Sequence, residues 1–125
     1  MRLFVGKSIL KKELGGNLSA EDISVFRRAV RPGLLLGIKG SGLPAKTKLL
    51  KGYATSRLGP RRIVCLLMVE KDDYFLLFFR PKGDPIGDNI SLKNPSFKTA
   101  LDKHLSLLRT DLLAGHVEEI PLRDP

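Results

Sequence analysis

Residues 61–82 read RRIVCLLMVEKDDYFLLFFRPK, and this stretch decides the fold. Two unbroken apolar runs, Ile63 to Val69 and Tyr74 to Phe79, flank the polar break Glu70-Lys71-Asp72-Asp73. Such runs of β-branched, aromatic and leucine residues beside a short polar turn predict a β-hairpin covered on both faces, because a strand with one wet face would alternate apolar with polar. An antiparallel hairpin brings the entry of its first strand beside the exit of its second. The cations at the two ends, Arg61, Arg62, Arg80 and Lys82, are therefore expected to emerge together at one end of the sheet. That end is the candidate site.

Upstream, Lys46 to Leu58 reads as the strand before the hairpin, with Tyr53, Thr55 and Arg57 alternating against Ala54, Ser56 and Leu58. Gly37 to Lys46, GIKGSGLPAK, is rich in turn formers and reads as a flexible connector. Gly37 and Gly42 have the interval of a phosphate-binding loop, but Leu43-Pro44-Ala45 stands where a lysine and a hydroxyl residue must follow. Leu34 to Ile38 fits either a short helix or a buried loop. Ser19 predicts the N-cap of a helix with Glu21 and Asp22 in its first turn and Ile23, Phe26 and Val30 on one face, stopped by Pro32-Gly33. Its other side carries Arg27, Arg28 and Arg31, as a solvated face or a surface for an acidic partner. Leu3-Phe4-Val5 fits a short first strand ended by Gly6-Lys7-Ser8.

Downstream, Gly83 to Lys93 reads as a loop, and Asn94 with Pro95 marks a helix start. Phe97, Leu101, Leu105, Leu108 and Leu112 form an apolar stripe that ends at Gly115. The tail, Val117 to Pro125, reads as irregular. The class implied is α+β: a small antiparallel sheet of three to four strands, with N-terminal helices packed on one face and a long C-terminal helix. The 125 residues form a single domain, long enough to bury a core without staples.

The net charge of +9 is unevenly spread. Between Asp22 and Glu70 no acidic residue occurs, while Arg27, Arg28, Arg31, Lys39, Lys46, Lys48, Lys51, Arg57, Arg61 and Arg62 make ten basic ones. The rest of the chain, with 12 basic and 13 acidic residues, is close to neutral. An excess confined to one segment suits a polyanion-binding face, with nucleic acid, an acidic protein and membrane headgroups all eligible. No apolar run approaches the roughly 20 residues of a membrane span, and Met1 to Leu10 is too short an apolar patch for a secretory signal. The single cysteine, Cys65, lies inside an apolar strand and reads as a small buried hydrophobe in a reducing compartment, so a cytoplasmic location is expected.

Metal and cofactor chemistry find little support. His104 and His116 are twelve residues apart with no cysteine or paired carboxylate at ligand spacing, and no cofactor motif is present. His104, at helical spacing from Leu101 and Leu108, reads as a boundary residue of the apolar stripe. There is no Ser-His-Asp signature and no carboxylate pair in a recognisable setting. What remains is chemistry that cations perform without metal: cleavage of RNA by attack of its own 2'-hydroxyl on the adjacent phosphate. That reaction needs a base, a proton donor for the leaving oxygen, and positive charge on the phosphorane. Arginine supplies the charge by forked hydrogen bonding, and lysine supplies the base where neighbouring cations lower its pKa.

The stretch LKGYATSRLGPRRIVCLLMVEKDDYFLLFFRPKGDPIGDNIS, residues 50–91, resembles the RelE/ParE superfamily of toxin-antitoxin toxins. There a basic strand leads to an arginine, an Ile/Val-rich strand, a hairpin and a basic strand end. Asp88-Asn89-Ile90-Ser91 is similar to the Asp-Asn-Leu-Ser/Thr that follows the last strand of RelE- and HigB-like members. The likeness covers Lys46 to Ser91, and the preceding helices by order of elements only. It implies a ribosome-associated mRNA endoribonuclease that inhibits translation, needs no cofactor, and is neutralised by a cognate antitoxin protein covering its basic groove.

On matching positions, the resemblance gives Arg62 the arginine that stabilises the transition-state phosphate and gives Arg80 or Lys82 the second cation near the leaving group. Arg57 and Arg61, with Lys46 and Lys48, add RNA contacts. RelE members carry two lysines where this chain has Tyr53 and Thr55, and their late catalytic tyrosine has no counterpart here; Lys48 or Lys51 is left to supply the base, with Lys51 grouped with the catalytic set. Members of the ParE branch share the fold and act on gyrase. A non-catalytic basic module for RNA or an acidic protein, and a ParE-like gyrase inhibitor, are the alternatives to the nuclease.

Overall fold

The computed structural model describes residues 1–40 and 42–123. In chain order the elements are β1 (Arg2–Gly6), α1 (Lys7–Leu14), α2 (Ala20–Ala29), β2 (Leu36–Gly37), β3 (Thr47–Ser56), β4 (Gly59–Met68), a 3-10 turn (Val69–Lys71), β5 (Asp73–Pro81), α3 (Pro95–Ala114) and β6 (Val117–Ile120). The class is α+β. The hairpin expected from residues 61–82 is β4 and β5, and the strand before it is β3.

The sheet, however, is not a small antiparallel one of three to four strands. It has six strands in the order β2-β3-β4-β5-β1-β6, and β1 runs parallel to β5. Short β1 is drawn inward because Leu3 and Val5 are fully buried there, paired alongside Tyr74 and its neighbours. Its other edge then needs partners for its backbone N–H and C=O groups. Residues 117–120, expected to be irregular, provide them as β6, with Leu3 opposite Ile120 and Val5 opposite Glu118. Two glutamates hid this strand, because they lie on the outer edge while Ile120 is buried. The remaining tail residues Asp124 and Pro125, like Ser41 of the connector, lie outside the described residues.

Side chains divide between two cores across the sheet. Ile63 and Cys65 of β4 join Ile9, Leu10, Val25 and Phe26 of α1 and α2, while Val64 and Leu66 join Phe97, Leu101 and Leu108 of α3. The hairpin is thus covered on both faces, but the helices are not a single layer: α1 and α2 lie on one side and α3 on the other. The connector contributes too, since Ile38 and Leu43 pack on the α3-side core and Ile38 N–H donates to Leu49 O at 2.8 Å.

Local signals set the helix ends. Ser19 and Asp22 form a reciprocal capping box at the start of α2, at 3.0 and 3.3 Å. Asn94 Oδ1 accepts from Ser96 N–H, Pro95 begins α3, and Gly115 closes it at φ 73°. The buried face of α3 is Phe97, Leu101, His104, Leu108 and Asp111, so the helix is turned from the all-leucine stripe and Leu112 is left exposed. Asp111 explains part of that rotation. The start of α1 has no side-chain cap of its own, and Asp111 serves it from a distance, accepting from Ser8 N–H at 2.8 Å and Ser8 Oγ at 3.1 Å. Replacing Asp111 by Ala strands that N–H in a partly buried position. Chemical denaturation should then show a loss of about 1–3 kcal/mol with an unchanged m-value.

Candidate nucleic-acid interface

The hairpin ends together, as antiparallel pairing requires: Arg61 faces Pro81, Arg62 faces Arg80, and Lys82 N–H donates to Pro60 O at 3.1 Å. A β-bulge decides what shares a face. Up to Cys65, paired with Leu76, the register is regular; from Val64, paired with Phe78, it is shifted by one, leaving Leu77 as the extra residue of β5. Without that extra residue Arg62 would stand opposite Phe79. With it, Tyr53 of β3, Arg62 of β4 and Arg80 of β5 form one cross-strand row on the α3 side.

Within the row, the Arg62 guanidinium lies 4.3 Å from the centroid of the Tyr53 ring, and Tyr53 is 45% exposed. Among the described residues no carboxylate pairs with Arg62. Lys51, two residues before Tyr53 on β3, points to the same face. Arg61, one residue from Arg62, points to the other: its guanidinium sits 5.3 Å from the Phe79 centroid and donates to Ser56 Oγ at 3.3 Å. Arg57 is exposed in the β3–β4 turn at this end of the sheet, and Lys82 is exposed just past β5.

Lys46 and Lys48 are not part of this group. They lie at the opposite end of β3, where Thr47 pairs with Met68, and five residues of strand from Lys48 to Tyr53 span roughly 17 Å. Lys46 is bound to Glu70 at 2.8 Å, and Lys48 faces the side opposite Lys51. Arg27, Arg28 and Arg31 donate to main-chain carbonyls, Arg27 reaching Pro121 O at 3.1 Å.

Arg80 is engaged by residues that the sequence did not single out. Its Nε and one terminal nitrogen fork onto the two oxygens of Glu13 at 2.7 and 2.8 Å, and its other terminal nitrogen meets Asp84 at 3.3 Å. The Glu13 side chain is fully buried. It also accepts from Phe79 N–H at 2.9 Å, and its second oxygen meets His104 Nε2 at 3.1 Å. His104 is therefore no boundary residue: it is buried and stacked on Phe78 with ring centroids 4.3 Å apart. The sequence carried no mark of this cluster, since its members lie 67 and 91 residues apart.

The Cys65 thiol is buried, and burial alone pushes its pKa up to about 12, so it is no nucleophile at neutral pH. Among the described residues no group of three His, Cys, Asp or Glu is placed to hold a metal ion, and no helix is long and apolar enough to cross a membrane.

The chain matches no family model, no curated protein and no solved structure.

Burial by itself raises the Glu13 pKa, but the hydrogen bonds from His104, Arg80 and Phe79 outweigh it and hold the carboxyl below its ordinary value of 4.5. The folded pKa is thus below the unfolded one, so this carboxylate stabilises fully above pH 4.5 and its contribution is lost as pH falls through the folded value. Glu13→Gln should lower stability at pH 7 by about 1.5–3 kcal/mol. Denaturation midpoints recorded against pH should also fall less steeply below pH 4.5 for this variant than for the parent.

Proposed function

We propose that this chain is a RelE-like toxin that binds ribosome-associated mRNA on the Tyr53–Arg62 face and cleaves it without metal. The observation that carries the reading is Arg62 itself, a guanidinium with no carboxylate partner among the described residues, held over an exposed tyrosine in the sheet row. A tyrosine ring covered on one face by a guanidinium retains its other face for stacking on a nucleobase. Arg62 then forks onto the phosphate between two nucleotides.

In the step proposed, the 2'-oxygen forms a bond to phosphorus and gives its proton to the Lys51 amine. The phosphorus–5'-oxygen bond breaks, and the departing oxygen takes a proton from the exposed Lys82 ammonium, leaving a 2',3'-cyclic phosphate and a 5'-hydroxyl. Arg62 carries the charge that builds on the phosphorane. Arg80, neutralised by Glu13 and Asp84, is assigned to the support of the row in place of phosphate contact. The partners are the ribosome, its mRNA and a cognate antitoxin that shields the basic face. A second reading, binding of RNA or an acidic protein without cleavage, draws on the same neutralisation of Arg80, which leaves one free guanidinium in the row where the nuclease comparison calls for two cations.

Induced expression should arrest growth and translation, and Arg62→Ala should restore both. With purified protein and ribosome-bound mRNA, Arg62→Ala should lower the cleavage rate by about 10²–10³-fold. Equal cleavage by the two proteins would exclude the assigned role, and salt-sensitive binding with no product from either would favour the binding module.

A further inference from the structure

A groove of about 670 Å³ opens between α3 and the end of the sheet away from Arg62, where Thr47 pairs with Met68. Met68 of β4 and Phe75 of β5 line its sheet side, Leu105 and Leu112 of α3 its helix side, and Leu43 and Pro44 of the connector complete it. Its volume falls within the range of about 300–1,000 Å³ typical of small-molecule pockets. Leu112 is the leucine that the rotation of α3 leaves 41% exposed, so apolar surface in this groove faces water and gains by being covered.

Three of the lining side chains are polar: Thr47, Ser106 and Arg109. The Thr47 hydroxyl is taken, since it donates to Pro44 O at 2.6 Å. Among the described residues the Ser106 hydroxyl and the Arg109 guanidinium have no hydrogen-bond or ion-pair partner, and no carboxylate lines the groove. Ser106 and Arg109 lie one turn apart on α3 and are therefore neighbours on its surface. The groove thus combines an apolar interior with one positive charge and one hydroxyl at adjacent positions.

We infer that this groove binds an aliphatic monocarboxylate, a medium-chain fatty acid, with its hydrocarbon chain along Met68, Phe75, Leu105 and Leu112, its carboxylate forked onto Arg109, and Ser106 as a further donor. Charge selects the head group. One guanidinium matches one negative charge, and its parallel N–H groups meet the two oxygens of a carboxylate. A phosphate monoester, at about −1.5 to −2, brings more charge than the single cation offsets. Shape and softness select the tail: apart from Phe75 the apolar lining is aliphatic, and the unbranched Met68 side chain adapts to a flexible chain more readily than to a flat ring system. A ligand charged at one end only is not a polyanion, so this site goes beyond the cleavage reading and does not depend on it.

The test is a titration of the full-length, isotope-labelled protein with decanoate, 1-decanol and decyl phosphate, each kept below its aggregation threshold and followed by methyl and amide resonances. Saturable shifts are expected with decanoate at the Met68, Leu105 and Leu112 methyls and at the Ser106 and Arg109 amides, with 1-decanol and decyl phosphate binding more weakly. Arg109→Ala should weaken decanoate about tenfold, a loss of about 1.4 kcal/mol, and leave 1-decanol unchanged. Leu112→Ser, at a position that water already reaches, should weaken both ligands. Absence of saturable shifts, equal affinity for decanoate and 1-decanol, tighter binding of decyl phosphate, or decanoate affinity indifferent to Arg109→Ala would each overturn the site. So would shifts of the same methyls on changing protein concentration alone, which would give the groove to a second copy of the chain.

Discussion

The Glu13 carboxylate ties together three elements that the backbone alone leaves separate. β1 pairs with β5 only as far as the first turn of chain allows, and at Gly6 it gives way to α1 while β5 continues to Pro81. The edge of β5 beyond that point has N–H groups and no strand to receive them. Glu13, at the end of α1, stands in for the missing strand by accepting from Phe79 N–H. Having been buried there, it needs compensation as a charge. Arg80 from β5 and His104 from α3 provide it. The junction of α1, β5 and α3 is therefore electrostatic at its centre and apolar only around it.

The cost falls on the candidate site. A guanidinium that is forked onto one carboxylate and touches another offers little net charge to a phosphate, so the local field of the sheet end comes from Arg62, Lys51 and the exposed Lys82. The bulge at Leu77 sharpens this division. By shifting the register by one residue it brings Arg80 opposite Arg62 and so holds two like charges on neighbouring strands, an arrangement that is unfavourable unless one is neutralised. Glu13 and Asp84 neutralise Arg80, and Tyr53 accommodates Arg62 by its ring face.

Features encoded by neighbours in sequence were legible: the hairpin from its two apolar runs, α2 from Ser19 and Asp22, and the limits of α3 from Asn94-Pro95 and Gly115. Features that depend on distant partners were not. A leucine stripe on α3 is the better hydrophobic face taken alone, yet His104 and Asp111 are buried because Glu13 and Ser8, far off in the chain, receive them. β6 has the composition of a tail and becomes a strand because β1 leaves an edge unpaired. Convergence of Arg61, Arg62, Arg80 and Lys82 at one sheet end followed from hairpin geometry. Their facing did not, since the parity of β5 is set by a bulge that no residue type announces.

Linear charge density was a weaker guide for the same reason. The ten cations between Asp22 and Glu70 are dispersed by the fold: Arg27 and Arg28 of α2 and Arg31 just past its end bond main-chain carbonyls, Lys46 meets Glu70 across the hairpin, and Lys48 turns to the face opposite Lys51. What concentrates positive potential is topology, which gathers residues from both the basic segment and the nearly neutral remainder. Lys12 and Lys103 lie outside that segment and still share a groove that no carboxylate lines among the described residues. Glu13 lies between that groove and the Arg62 row, bonded to His104 on one side and Arg80 on the other. The Glu13 charge is matched there by the Arg80 guanidinium and by hydrogen bonds with His104 Nε2 and Phe79 N–H, so the Arg62 row does not lie over an uncompensated buried carboxylate.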